Sequence, residues 1–568
     1  MWNSKRTLLI VMVCWIIVVP VSQSEGDGVL SSRELLRAVH EDDNPNEEPP
    51  GLGTERVQVR ILHFPRNRSL GKLWVFTGTP EESEITPLSM WRLDDHLRED
   101  LGQAKGDVAV PTDKPIHLII SGPSQDLSPL ARLRPSDLYM LTIRGSGQRV
   151  HNPDETIMPY LSGLKGLEFL NISYLNITRR GLRHIRGLKS LKGLTLTNTP
   201  RIGNAALAMI ASELPPLEGL ALFSDSITDQ GLLHIAKMNS LEELLLCAPR
   251  VRGPGLAHLA KAPSLKYLTL AGGNKNFGDA HMRYLSGNTS LTKLTLHGCP
   301  VTDVGMIHLA NLTNLEELHF IRRFGQRITE KGLAHLSKLP KFKRLENIKK
   351  VNAIKYLTLL THLEYLNFNI EPGEDEDQVL ALLGKFKSLK SLKVEGASDK
   401  VLALSVQFKE LESLELEGDR ITDAGLEHLA KLTSLRELRL KANTITNVGL
   451  SHLVKLKSLE VLHLEGDHIT DAGMAHIARI TNLWQLSLDG PLTDDGLSHL
   501  SHMSQLRELG IGDEGRFTDS GLSYLQRMKG LRWLRITREN KYSPEAVRRL
   551  KSNLPHIRKF EVRQADSD

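Results

Sequence analysis

Histidine recurs at His184, His234, His258, His308, His428, His452, His476 and His499, and a row of imidazoles is what a ladder of metal ligands would need. Each falls in a separate helical segment, and adjacent helix axes lie roughly 8–10 Å apart. No carboxylate or thiol stands beside them at ligand spacing, so they read as polar residues on an outer surface and no metal site is expected. The pairs Thr228-Asp229, Thr302-Asp303, Thr422-Asp423 and Thr470-Asp471 could offer a hydroxyl and a base, but each opens a helical segment, which favours capping over catalysis. The sequence also lacks a G-x-S-x-G elbow, a phosphate-binding glycine loop, H-E-x-x-H and cysteine-pair zinc spacing. A chain that is not an enzyme and needs no cofactor is the expectation.

The elements that carry these residues repeat. Openings of the form L-x-x-L-x-L run from Leu138 to Leu315 and resume from Leu363 to Leu531, with a common step of 24 residues, as from Leu411 to Leu435 to Leu459. The stretch LEGDRITDAGLEHLAKL (Leu416 to Leu432) returns almost unchanged as LEGDHITDAGMAHIARI (Leu464 to Ile480). Within the unit that opens at Leu435, Leu438 and Leu440 alternate with Glu437, Arg439 and Lys441 as in a strand. Leu450, Leu453 and Leu456 then recur at helical spacing. A single unit cannot bury its apolar stripe alone, so the units must stack, strands into a parallel sheet and helices into a second layer. Thr228, Thr302, Thr422 and Thr470 stand at the helix start, where an N-cap oxygen can accept a free N–H, and the Asp that follows suits the helix dipole. The unit opening at Leu531 makes the same start with Ser543-Pro544-Glu545. The small residue two places after the Asp, as at Gly425 and Gly473, becomes Ala206 and Ala546 elsewhere, which indicates close packing; His281 departs from that rule.

Leu294 to Ala310, LTLHGCPVTDVGMIHLA, resembles the cysteine-containing leucine-rich repeats of F-box adaptor proteins, and ITDAGLEHLAKL is similar to the repeats of exported bacterial leucine-rich-repeat proteins. The resemblance spans roughly Leu138 to Val562. It implies an α/β leucine-rich-repeat solenoid, or horseshoe, with a parallel concave β-sheet and convex helices. The bacterial resemblance fits the amino terminus better, and an F-box type of ubiquitin-ligase adaptor is the weaker alternative.

Lys5 and Arg6 precede the apolar run Thr7 to Val19, which is short of the roughly 20 residues that span a bilayer. Residues 1–24 are therefore expected to be a signal peptide and the protein exported to the periplasm, cell surface or exterior, with a membrane contact only if the segment stays uncleaved. Residues 25–55 read as a disordered acidic linker. Residues 56–137 read as a β-rich amino-terminal cap, with strands expected within Arg56–Phe64, Lys72–Phe76, Gly106–Pro111 and Pro115–Ser121. Residues 138–341 form a first arm of repeats, 342–410 an irregular stretch that loses the capping signature, and 411–568 a second arm. Charged insertions at Ile321–Arg327 and Glu371–Asp377 flank the irregular stretch. The 568 residues are 40% apolar and 24% charged, and a net charge of +5 over that length is too dilute to imply nucleic acid. Cys247 and Cys299 lie two units apart, too far for a disulfide.

The concave sheet is the surface on which no core requirement dictates the side chain. Its amino-terminal half should expose Phe169, Phe223, Leu245 and Tyr267 among small residues, as anchors for a partner. Its carboxy-terminal half should present Glu415, Glu417, Glu437, Arg439, Lys441, Glu465 and Asp489, which would steer and select that partner. A protein or peptide ligand is expected. A cell-wall or extracellular glycan held by Phe169, Tyr267, Asn171 and Thr269 is the alternative.

Overall fold

A computed structural model describes residues 58–76, 98–122, 126–145, 152–272, 276–321, 328–348, 362–370, 375–466, 468–512, 516–536, 542–554 and 559–562, and residues 360, 373 and 557. The expected signal peptide and acidic linker, and the insertion from Arg322 to Arg327, lie outside the described residues. The chain divides into two compact units, Met1–Leu315 with Phe320–Phe324, and Glu316–His319 with Gly325–Asp568.

The first unit opens with β1 (Val59–His63), β2 (Lys72–Phe76), β3 (Arg98–Gln103), β4 (Asp107–Pro111) and β5 (Ile116–Ser121). β1 and β4 form a separate antiparallel pair, while β2 lies antiparallel between β3 and β5. β3 is a strand that the sequence reading missed, because its residues Arg98-Glu99-Asp100 carry no apolar alternation. From β5 onward every pairing is parallel: β6 (Met140–Arg144), β7 (Phe169–Ser173), β8 (Gly193–Thr197), β9 (Gly219–Phe223), β10 (Glu243–Cys247), β11 (Tyr267–Ala271) and β12 (Lys293–His297) follow in order. The sheet is an open ladder.

The second unit continues the same construction. Its strands are β13 (Glu317–Ile321, within which the division between units falls), β14 (Arg344–Ile348), β15 (Tyr365–Asn369), β16 (Ser391–Glu395), β17 (Ser413–Glu417) and β18 (Glu437–Lys441). Then come β19 (Val461–Glu465), β20 (Gln485–Asp489), β21 (Glu508–Ile511), β22 (Trp533–Ile536) and β23 (Lys559–Val562), each parallel to its predecessor. Across the stretch expected to be irregular the parallel pairing persists, with a register shift between Leu345 and Ile348. The capping signature there is not lost, as the sequence reading held, but rewritten: Asp375 accepts from the N–H of Asp377 and of Gln378, and Ser398 from that of Lys400. Both are N-cap residues by the same chemistry as threonine. No described helix is long and apolar enough to cross a membrane.

Each unit is held by its leucines. Leu435, Leu438, Leu450 and Leu453 are fully buried, and Leu440 and Leu456 nearly so; burying each contributes about 1.5–3 kcal/mol. Strand registers place leucine opposite leucine in successive repeats, as at Leu414, Leu438, Leu462 and Leu486, so each strand adds to one continuous core.

A second bond system ties the helix layer, and it corrects the simple capping account. Thr302 does cap its own helix, accepting from the N–H of Val304. Thr228, Thr422 and Thr470 do not. Their hydroxyls and amides are engaged by the acid or amide that opens the preceding helix. Asp399 accepts from the Thr422 N–H at 2.7 Å and its hydroxyl at 2.6 Å, and Asp423 takes Thr446, Asp471 takes Thr493 and Asp279 takes Thr302 in the same way. Asn204 and Asn447 serve Thr228 and Thr470, with the amide carbonyl accepting the N–H and the amide nitrogen donating to the hydroxyl. The Asp of the repeat is thus a staple to the next repeat, beyond its favourable place in the dipole.

The staple explains the glycine. A Cβ on Gly305 would stand 2.5 Å from Asp279 Oδ1, one on Gly473 2.6 Å from Asn447 Oδ1, and one on Gly231 2.7 Å from Asn204 Oδ1. Smallness is demanded by the stapling side chain below, as the sequence reading inferred. His281 then ceases to be an anomaly, because the repeat beneath it has Gly253 in place of the Asp. With no carboxylate there, the imidazole edge passes 3.7 Å from where a Gly253 Cβ would sit. Gly253 itself has φ of 119°, a conformation that suits glycine.

Candidate interaction face

In a strand that alternates, the residues that do not enter the leucine core point to the opposite face. The first, third and fifth residues of each five-residue strand form that face here, and the two units build it differently.

In the first unit the face is largely closed. The fifth positions Ser173, Thr197, Phe223, Cys247, Ala271 and His297 are all buried. Phe223, Ala221, Leu245, Cys247 and Ala271 make one apolar cluster. Phe169 is covered by Tyr139, whose ring lies 5.3 Å away, and Tyr139 in turn meets Phe76 edge-on at 6.0 Å. The expectation that Phe169, Phe223 and Leu245 stand exposed as anchors is therefore corrected: they are only 5%, 5% and 9% exposed. Large rings set among Gly and Ala settle against their neighbours and do not project from them. Tyr267, Asn171 and Thr269 remain half-exposed. Cys247 and Cys299 are not disulfide-bonded. Cys299 donates to the Leu270 carbonyl at 3.2 Å, and burial pushes its thiol up to about 12, so it is a poor nucleophile.

In the second unit the face is open and charged. Glu395, Glu417, Lys441, Glu465 and Asp489 occupy the fifth positions of β16 to β20, and all five are exposed. Parallel register sets them side by side. Lys441 sits between Glu417 at 3.4 Å and Glu465 at 3.5 Å, and these two carboxylates hold its ammonium pKa above the ordinary lysine value, Glu465 most. A depression of about 320 Å³ opens beside this row, lined by Glu395, Glu417, Asp419, Lys441 and Asn443 among others.

The third positions are half-buried and internally paired. Glu415 bonds Lys393, and Arg439 bonds Glu437 at 2.6 Å. Beside them His463 is held down to about 4, first by burial and then by the Arg439 charge; its ring stays neutral at pH 7. Lys393 and His463 were missed by the sequence reading, although the alternation that singled out Glu415 and Arg439 placed them in the same row. Arg344 also lies over the Tyr365 ring, 4.3 Å from its centroid, a cation–π contact on the same face. The second-unit residues singled out from sequence are thus brought together on one surface, whereas Phe169, Phe223, Leu245 and Tyr267 belong to the other unit.

The histidines recurring in the helices lie in or next to the final helical turn, as His428 and His476 do, where the helix dipole favours them. No group of three or more possible metal ligands occurs among the described residues.

Residues 390–568 match the family model described as a leucine-rich repeat region. No curated relative matches the sequence. Among solved structures, the chain is similar to a leucine-rich-repeat protein of Leptospira interrogans at 18% identity, covering 77% of this chain and 98% of that one with a TM-score of 0.32. An internalin of Listeria monocytogenes matches at 17% identity over 70% of this chain and 87% of that one, TM-score 0.27. A plant peptide hormone receptor, solved in complex with RGF2, matches at 14% identity over 78% of this chain and 89% of that one, TM-score 0.31. The strand–helix units, open parallel sheets and leucine core make the fold an α/β leucine-rich-repeat solenoid.

Proposed function

We propose that this leucine-rich-repeat protein is an exported, non-enzymatic scaffold that binds a protein or peptide on the open sheet face of its second unit. The observation that carries the reading is the row Glu395, Glu417, Lys441, Glu465 and Asp489, exposed side by side on a rigid sheet. Folding asks nothing of these side chains, since Leu416, Leu440 and Leu464 beneath them already complete the core. Charges so arranged select a partner and guide its approach more than they add bulk affinity. Glu415, Glu437 and Arg439 stand behind that row as a paired, half-buried second line. In the first unit, Tyr267 is the residue of the expected anchor set that remains accessible. Export is supported by the basic-then-apolar opening Lys5 to Val19.

The test is a photo-crosslinking residue placed at Ser487, in the third position of β20, and separately at Glu427 on a helix. In living cells the Ser487 probe should trap a defined polypeptide, and Glu417→Ala with Glu465→Ala should abolish the adduct with little change in melting. Equal trapping from Glu427, or an adduct indifferent to both substitutions, would refute the assignment.

A further inference from the structure

The helix side of the first unit carries a basic stripe that neither folding nor the sheet-face role uses. Arg179, Arg180, Arg183, Arg186 and Lys189 fall on one repeat and are all exposed, while Leu182, Ile185 and Leu188 between them are buried. Other repeats show that this charge is no requirement of the architecture. Arg186 stands where Ala236, Ala260 and Ala310 stand, and Arg179 where Asp229, Asp279 and Asp303 stand. The second replacement carries a structural penalty. An acid at that place staples the next repeat, and Arg179 forgoes the staple, with Gly203 lacking a hydroxyl to receive one. Arg180 meets Glu155 at 3.3 Å and Arg186 pairs with Glu213, whereas Arg179 and Arg183 make no ion pair with any described residue.

We infer that this stripe binds a linear polysaccharide bearing sulfate or phosphate groups. Guanidinium groups grip such tetrahedral oxyanions through paired N–H donors, and four of the five cations are arginines. The flanking carboxylates Glu155 and Glu213 confine the positive field to a strip. A single polymer strand needs only that strip, whereas a bilayer surface would press both acids against anionic headgroups. The segment holds no Phe, Tyr or Trp on which a nucleobase could stack, and its one imidazole, His184, is half-buried. The site lies on the helix side and is independent of the proposed sheet-face function.

Full-length protein in mild detergent is applied to immobilised heparin, used as a sulfated linear probe, at 0.15 M salt. The chain should be retained, and Arg179→Ser with Arg183→Ser should weaken binding about tenfold. The control Arg252→Ser with Lys261→Ser, which removes the same charge from another repeat, should leave binding within about twofold. The inference is overturned if the first pair binds like the parent or if the control loses as much. It is equally overturned if mixed micelles of anionic lipid in the same detergent, or single-stranded DNA, compete for the same arginines more strongly than soluble heparin.

Discussion

Alanine in place of a helical glycine is ordinarily favourable by about 1 kcal/mol, and Gly305→Ala should do the opposite. The new Cβ would lie 2.5 Å from Asp279 Oδ1 and 2.8 Å from Val301 Cγ1, so the carboxylate has to move. That oxygen accepts from the Thr302 N–H at 2.7 Å and the Gly305 N–H at 3.0 Å. Losing two hydrogen bonds to a charged group costs about 3 kcal/mol, and the propensity gain offsets about 1 kcal/mol of it. A net destabilisation of about 2 kcal/mol follows. In an Asp279→Ala background the carboxylate is gone and only the Val301 methyl has to give way, so the same Gly305→Ala change should cost clearly less than in the parent. The pair Gly253 and His281 is a natural precedent. Urea denaturation of the four chains followed by circular dichroism gives the cycle, and hydrogen exchange at the Thr302 amide localises it. If Gly305→Ala stabilises the parent, or destabilises it equally without Asp279, the staple is not what forbids the side chain.

Two further outcomes concern titration and reactivity. His463 is held down to about 4 against an ordinary value near 6.5, so the unfolded chain binds the extra proton between those values and stability should fall as pH drops from about 6.5 to about 4. Replacing His463 with Asn should flatten that part of the stability profile, and an unchanged slope would refute the claim. Cys299, buried and pushed up to about 12, should resist a thiol reagent at pH 8 in the native protein and react only on unfolding, as mass spectrometry of labelled peptides would show.

The repeat period, the strand–helix alternation and the face assignment of each leucine were legible in the sequence because one physical rule generates all three. A stripe that cannot be buried alone must recur at the spacing of its element, and it leaves that spacing in print. The need for a small residue at Gly425 and Gly473 was legible for the same reason. What the sequence did not disclose was the cause, since Asp399 and Gly425 lie in adjacent repeats and meet only when these stack. Thr422 therefore looked like an N-cap when its hydroxyl serves Asp399.

The open face shows the same divide. Alternation determined that Phe223 and Lys441 point away from the leucine core, but the depth at which each side chain rests depends on neighbours drawn from other strands. Phe223 settles among Ala221, Leu245, Cys247 and Ala271, whereas Lys441 stands in solvent between two carboxylates. Direction is a local property of the backbone and is written residue by residue. Exposure is a property of the assembled sheet, so only the tertiary structure decided which part of that face was open to solvent.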